Sequence, residues 1–182
     1  MKWLALMIAA IFAMGAASGR WVDRAGEATT VQILDDFAVQ YDQAANDMVR
    51  GALRRDRGHA LCSHLGFIQT RGAVHEWTGT VETLDSTGDG RGVLAVRISP
   101  HATVRTTNNA FSESISEFPT LIAPGSHVYK AAIALKLGQT VQFSGLLFPS
   151  KVDCMLEGSI TQAGSMHDPD FLFRFTDLEP AE

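Results

Sequence analysis

Two short groups of residues have side chains of the kinds that bind metal ions. His59, Cys62 and His64 offer nitrogen and sulfur ligands of the type zinc prefers, but no fourth ligand lies nearby in the sequence. Residues 85–90 begin like a calcium-binding loop, yet the twelfth position is Val96, where a bidentate glutamate is needed. We therefore expect no metal ion, and we predict that residues 85–90 form a hairpin turn.

Residues 167–170 (His-Asp-Pro-Asp) contain groups capable of acid–base chemistry, but the proline favours a turn. The sequence has no Gly-x-Ser-x-Gly, no His-Glu-x-x-His, no phosphate-binding loop and no dinucleotide fingerprint. We predict no catalytic residues and no cofactor. A hydrolase remains an open alternative, because catalytic side chains can converge from distant parts of a chain.

Composition and charge exclude several classes of protein. The chain has 182 residues, of which 46% are hydrophobic and 19% charged, so it is neither disordered nor collagen-like. This length predicts one domain with a short appendage. Lys and Arg number 15 against 20 Asp and Glu, and the resulting net charge of −5 gives no general attraction for nucleic acid or anionic membranes.

Residues 1–19 have the pattern of an export signal. Lys2 precedes an apolar run over residues 3–17, and small residues occupy positions 15–19. The run is shorter than the roughly 20 residues of a membrane-spanning helix. The sequence therefore predicts a cleaved signal peptide and a periplasmic or secreted protein. An uncleaved inner-membrane anchor and a buried N-terminal helix are the alternatives.

Cys62 and Cys154 are the two cysteines of the chain. An even number of cysteines in an exported protein favours a disulfide bond between them. The alternative is two free thiols, with Cys62 buried as a small apolar residue between leucines.

Residues 20–72 are predicted to form a polar lead-in, over 20–35, followed by an amphipathic helical arm. Helical spacing extends from residue 35 or 36 to residue 57, and Gly58 is a stop signal. The predicted apolar face consists of Phe37, Tyr41, Ala44, Ala45, Met48 and Ala52. We interpret Arg50, Arg54, Arg55 and Arg57 as complementing the helix dipole and pairing with Asp47 and Asp56. A phosphate or lipid headgroup site is the alternative.

Alternation with a period of two begins at residue 73 and indicates strands. Strands are predicted over residues 73–82, 93–99, 102–107, 140–148, 158–162 and 171–176. Residues 108–119 are a predicted loop, and residues 127–137 are a predicted helix with Ser126 as N-cap and Gly138 after its end. Gly79 within the first strand indicates a bulge or a sharp bend.

This order of elements predicts an α+β protein, mainly β with α. Its body, residues 73–182, is expected to be a small OB-like Greek-key β-barrel with one inserted helix, preceded by the N-terminal amphipathic helix. A β-sandwich is the competing architecture, although it needs no inserted helix.

Several segments of the body carry a family resemblance: residues 77–81, 89–94, 107–112, 138–145 and 171–175. Together they resemble a group of uncharacterised bacterial proteins in which an OB-like β domain follows an exported or membrane-anchored N-terminus. The resemblance covers roughly residues 45–178. It implies the barrel architecture and no particular activity.

The function predicted from these patterns is a noncatalytic exported binding module of the bacterial cell envelope. The expected partner is a protein, a peptide or a glycan, and the membrane is contacted only through residues 1–19 if they remain attached. A single-stranded nucleic-acid-binding OB domain on a membrane anchor is an alternative, but residues 59–182 hold 8 basic and 13 acidic residues. The candidate partner face comprises Trp77, Arg97, Arg105, Asn108 and Asn109.

Overall fold

The computed structural model describes residues 24–115 and 117–181, so the predicted signal segment 1–19 lies outside the described residues. The helices are α1 (Arg24–Asp42), α2 (Asp47–His64), α3 (Phe67–Thr70), α4 (Ala110–Ile115), α5 (His127–Ala132) and α6 (Gln162–His167). The strands are β1 (Ala73–Ser86), β2 (Gly92–Ser99), β3 (Ala102–Arg105), β4 (Thr140–Leu147), β5 (Pro149–Ser150), β6 (Cys154–Met155) and β7 (Asp170–Pro180). The predicted α+β class is confirmed.

Five strands form a closed barrel in the order β1-β2-β3-β7-β4, and β4 pairs with β1 to complete it. Strands β3 and β7 run parallel, whereas every other barrel pair is antiparallel. Strands β5 and β6 form a separate hairpin. Helix α5 lies in the chain between β3 and β4. A single closed sheet, and not the two packed sheets of a sandwich, therefore surrounds the core.

Alternation in β7 produces the aromatic core that the sequence predicts. Phe171, Phe173 and Phe175 are all buried, while the residues between them are partly exposed. Phe143 of β4 meets Phe173 edge-on, with ring centroids 5.5 Å apart. This geometry is typical of paired aromatic rings and adds to the free energy gained from their burial.

Gly79 permits a close approach between β1 and β2. A Cβ at this position would lie 2.6 Å from both the Arg97 carbonyl oxygen and Val96 Cγ1, so a larger residue would push the strands apart. Gly79 itself pairs regularly with Val141, and the register irregularities fall on either side of it. One of them includes Glu76, which has a φ of +54°. The predicted irregularity of β1 therefore occurs on both sides of Gly79 and not at Gly79 itself.

The prediction of a polar lead-in followed by one helix over residues 35–57 is wrong, because two helices occupy this region. The first helix begins at Arg24 and ends at Asp42. The second helix begins after Asn46, whose side chain caps it by accepting hydrogen bonds from the N–H groups of Met48 and Val49. The predicted apolar face does not form as one surface, because its residues are divided between two separate helices. Met48 of this predicted face is 87% exposed. Tyr41 is the buried member of that face.

Gly58 does not end α2, which continues to His64. A Cβ at Gly58 would overlap the carbonyl oxygen of Val152. The glycine therefore allows the helix to lie directly against the loop before β6. Close helix packing, and not helix termination, explains why glycine fits this position.

Three further predictions are corrected in the body. Residues 158–162 are not a strand, because Thr161 caps α6 by accepting a hydrogen bond from the Gly164 N–H at 3.0 Å. The predicted loop 108–119 contains the short helix α4. Helix α5 has the predicted Ser126 cap but ends at Ala132, because hydrogen bonds of the i to i+3 type follow it.

Polar contacts, as well as packing, fasten α1 to the barrel and α2 to α1. Both carboxylate oxygens of Glu27 in α1 accept hydrogen bonds from the Thr78 N–H of β1, at 3.0 and 3.1 Å. At the end of α2, His64 Nε2 lies 2.9 Å from the Gly26 carbonyl oxygen. Within residues 24–115 and 117–181, no helix has the length and apolar character required to cross a bilayer.

Candidate functional site

A groove with charged walls lies on the outer face of the barrel. Its walls come from β1, β2, β3 and the beginning of β7, and its volume is about 420 Å³. We call it the charged groove and define it by Glu82, Thr83, Ala95, Arg97, Thr103, Arg105, Asn108, Ser159, Asp168 and Asp170.

Arg97 and Glu82 form the first ion pair of the charged groove. Arg97 donates from Nη2 and Nε to Glu82 Oε1, at 2.7 and 2.9 Å, and from Nη1 to Asp168 Oδ1 at 3.2 Å. The Thr103 hydroxyl donates to the second Glu82 oxygen at 3.2 Å. The hydrogen bond that Arg97 donates to Glu82 raises the pKa of Arg97, so this guanidinium stays charged.

Arg105 and Asp170 form the second ion pair. Arg105 Nε donates to Asp170 Oδ2, and its Nη1 donates to Asn108 Oδ1 at 2.8 Å. Burial raises the pKa of Asp170 despite the opposing effect of Arg105. The groove thus sets two guanidinium groups against the three carboxylates of Glu82, Asp168 and Asp170, a formal charge of −1.

An apolar pocket of about 430 Å³ shares the Arg105–Asp170 pair with the charged groove. Its apolar walls are Phe118, Leu156 and Leu172. Phe118 is fixed by stacking on Phe148, with ring centroids 4.5 Å apart. The adjoining groove and pocket therefore offer charged, hydroxyl and apolar contacts to one ligand, which is the usual composition of a binding site.

Two exposed apolar residues lie in the segments that border the charged groove. Ile160 follows the groove residue Ser159 and is fully exposed. Phe111 lies three residues after Asn108, at the start of α4, and is 74% exposed. Asn109 accepts a hydrogen bond from the Ser112 N–H at 2.7 Å, which holds the first turn of this short helix.

The structure brings together three of the five predicted partner-face residues. Arg97, Arg105 and Asn108 line the charged groove, whereas Asn109 serves the turn of α4. Trp77 is only 1% exposed, so its placement on a partner face is wrong. The alternation of β1 directs the Trp77 indole into the barrel, where burial of this large aromatic ring stabilises the fold.

Sequence reasoning missed the carboxylates and the apolar pocket of the site. The sequence predicts only a turn for Asp168 and Asp170, although both line the groove and Asp170 begins β7. Glu82 lies on the same strand as Gly79, and nothing in its local pattern indicates a partner. Its exposed strand position is one signal, but Arg97 lies opposite Thr80 in the β1–β2 register, and Glu82 reaches it from the irregularity between Val81 and Thr83.

The histidine and cysteine group near the end of α2 has structural roles. Cys62 forms the predicted disulfide bond with Cys154, and their Cα atoms are 5.4 Å apart. His64 contacts the Gly26 carbonyl group. Among the residues described by the structure, no cluster of three or more His, Cys, Asp or Glu side chains is arranged to hold a metal ion.

The predicted hairpin turn joins β1 and β2, but it covers residues 87–91, because Asp85 and Ser86 still pair with Val93 and Gly92. The Thr87 hydroxyl donates to Asp89, and Arg91 pairs with the same carboxylate at 2.9 Å. The hydrogen bond from Thr87, followed by that from Arg91, lowers the pKa of Asp89 to about 2. These contacts stabilise the turn.

The arginines of α2 are only partly explained by the predicted dipole and local pairs. Arg50 pairs with Asp47 at 2.9 Å, as predicted. Arg54 and Arg57 instead pair with Asp153, at 2.7 and 3.0 Å. Because Asp153 lies 96 residues after Arg57, no helical spacing could indicate this contact. The cluster joins α2 to the segment before β6.

The chain was also compared with known proteins. No protein-family model, curated protein or solved structure gives a significant match. The functional argument therefore rests on the geometry of the site.

Proposed function

We propose that this chain is an exported, noncatalytic binding module of the bacterial cell envelope, with an OB-type barrel and a partner that occupies the charged groove and apolar pocket. The observation that carries the proposal is the shared Arg105–Asp170 pair, which makes the two cavities one continuous surface. The partner is a protein, a peptide or a glycan.

The strand order supports the OB assignment. A Greek-key barrel of five strands with a helix before the fourth, and with its first three strands in a meander, fits the observed order β1-β2-β3-β7-β4. OB barrels bind their ligands on the face of strands 2 and 3, where this chain has Arg97, Thr103 and Arg105. The proposed family is the bacterial group that the sequence resembles.

The disulfide bond supports the proposed location. Disulfides persist in the periplasm and outside the cell, and Cys62–Cys154 closes a long loop between α2 and β6. The apolar run of residues 3–17, followed by small residues, supports export. We accordingly propose a periplasmic or secreted protein, with retention on the inner membrane as the alternative if residues 1–19 are not cleaved.

The side chains of the groove support binding in preference to catalysis. The groove-lining residues described by the structure include no histidine and no cysteine. The Thr103 hydroxyl donates to a carboxylate that is already paired with Arg97, which makes Glu82 a poor base for activating it. Single-stranded nucleic acid is disfavoured, because Arg97 and Arg105 are both neutralised and the groove is acidic overall.

The test is a two-dimensional NMR titration of the isotopically labelled protein with a short-peptide mixture, chitotriose and a twelve-base thymidine oligonucleotide. Peptides or sugar should shift the signals of groove residues, and the oligonucleotide should not. Leu172→Ala, which removes an apolar wall of the pocket, should weaken binding, whereas Arg55→Ala, which removes an exposed positive charge from α2, should not.

Two results would contradict the proposal. One is that no ligand shifts the groove signals, or that the oligonucleotide binds most tightly with the salt dependence of phosphate contacts. The other is hydrolysis of nitrophenyl ester, phosphate or glycoside substrates at a rate that falls in Arg97→Ala. The second result would favour the hydrolase.

A further inference from the structure

The charges of the groove select the charge of its ligand. The Arg97 side chain is 31% exposed and is bonded to two carboxylates, so an incoming anion meets no free guanidinium there. Glu82 and Asp168 are more open, with side chains 41% and 60% exposed. Their accessible oxygens, together with the formal charge of −1, complement a cationic group.

The apolar pocket selects a second feature. The side chains of Phe118, Leu156 and Leu172 cannot form a hydrogen bond with a sugar hydroxyl. An apolar side chain of a ligand that packs against them leaves water, which makes binding more favourable. Exposed Phe111 and Ile160 add apolar surface in the neighbouring segments. Buried apolar anchors surrounded by polar groups are the usual pattern of peptide and protein interfaces.

The two cavities adjoin each other, so one short extended chain can contact both. Both include Arg105 and Asp170, so the pocket and groove are direct neighbours. In an extended peptide, side chains at positions i and i+2 point the same way and are separated by about 7 Å. One peptide can therefore place an apolar side chain in the pocket and a basic side chain in the groove.

We propose that the charged groove and apolar pocket bind an extended polypeptide segment that carries an apolar residue close to a lysine or arginine. The inference rests on the proposed function, since it names the ligand of the same site. The apolar side chain contacts Leu156 and Leu172, and the basic side chain pairs with Asp168 and Glu82.

Three capped pentapeptides test the motif by NMR titration: Gly-Leu-Ser-Lys-Gly, Gly-Leu-Ser-Glu-Gly and Gly-Ser-Ser-Lys-Gly. The first should bind at least tenfold more tightly than either of the others and should shift signals of both cavities. Added salt should weaken its binding, because exposed charges are screened. Asp168→Asn should reduce its affinity about threefold to tenfold while leaving the weaker binding of the glutamate peptide unchanged or stronger.

Asp56→Asn is the matched control, since it removes one exposed carboxylate from α2, outside the groove. It should leave all three affinities unchanged. Equal binding of the three peptides, or an unchanged affinity in Asp168→Asn, overturns the motif. Chitotriose bound in the groove without any peptide binding overturns the motif but leaves the binding module intact. If neither chitotriose nor any of the peptides binds in the groove, both the motif and the proposed binding module are overturned.

Discussion

Replacing Asp153 by alanine removes the counter-charge of a guanidinium that is completely buried. Arg57 is 0% exposed, and its Nη2 donates to Asp153 Oδ1 at 3.0 Å. Arg54 donates to both oxygens of the same carboxylate, at 2.7 Å each. Burial lowers the pKa of Arg57, and the nearby carboxylate of Asp153 opposes that change. Without Asp153, the buried cation keeps a hydrogen bond to the Ser165 carbonyl group and a longer-range attraction to the Glu157 carboxylate.

The expected loss follows from this geometry. Breaking a buried ion pair by removing one partner costs about 3–5 kcal/mol, which corresponds to a fall in Tm of about 6–20 °C for a chain of this size. Urea unfolding with the disulfide intact measures the change, with the slope m as a check that the unfolding transition is unaltered.

Asp56→Ala is the control, because it removes an exposed carboxylate from the same helix and should cost less than about 0.5 kcal/mol. Adding Arg57→Met to Asp153→Ala should recover part of the loss, since the uncompensated cation is gone. Equal stability of Asp153→Ala and Asp56→Ala, or no recovery in the double variant, would show that the buried charge is not what Asp153 stabilises.

Three further changes test other parts of the structure. Replacing Cys62 and Cys154 with alanine should cost about 4–5 kcal/mol, the entropy released by opening a loop of this length, and a smaller loss in urea unfolding would contradict that estimate. Gly58→Ala should destabilise by about 1–3 kcal/mol, because its Cβ meets backbone that cannot move aside, and calorimetry should show a lower Tm. Burial raises the pKa of Asp170 above its ordinary 3.8, so the folded state binds the carboxyl proton of Asp170 more tightly than the unfolded chain does. The folded state therefore loses stability as the pH rises from about 3.8 through this raised pKa. Asp170→Asn should therefore make the slope of unfolding free energy against pH more positive just above pH 3.8, and an unchanged slope would refute the assignment.

The strands could be predicted because the period of two reports which side chains face the core. The clearest case is β7, where Phe171, Phe173 and Phe175 are buried in turn. The strand ends were less certain, and β7 continues to Pro180, beyond its aromatic run. The helices were harder to predict, because α1 and α2 bury charged and small residues such as Glu27, Arg57 and Gly58. A search for periodic apolar residues does not detect such positions.

The site could be predicted only in part for a related reason. Arg97 and Arg105 are basic residues at partly exposed strand positions, which makes them easy to select from the sequence. Glu82 comes from β1, 15 residues away across the hairpin, but Asp168 and Asp170 come from the loop and strand around Pro169, 71 residues from Arg97 and 65 from Arg105. Because β3 pairs in parallel with β7, Asp170 is brought opposite Thr103, a contact that depends on closing the barrel. Local patterns contain no information about that closure.

The buried cluster and the groove are connected through one stretch of chain. Asp153 is held by α2, Cys154 is held by the disulfide, and Leu156, Gly158 and Ser159 then line the two cavities. Glu157 lies between them and approaches Arg54 to 3.8 Å. The segment also pairs with the start of β7, through hydrogen bonds from the Gly158 N–H to the Asp170 carbonyl and from the Leu172 N–H to the Leu156 carbonyl. Helix α2 therefore fixes one wall of the candidate binding site although it contributes no residue to it, and this accounts for two arginines and a disulfide of one helix that all hold the same segment.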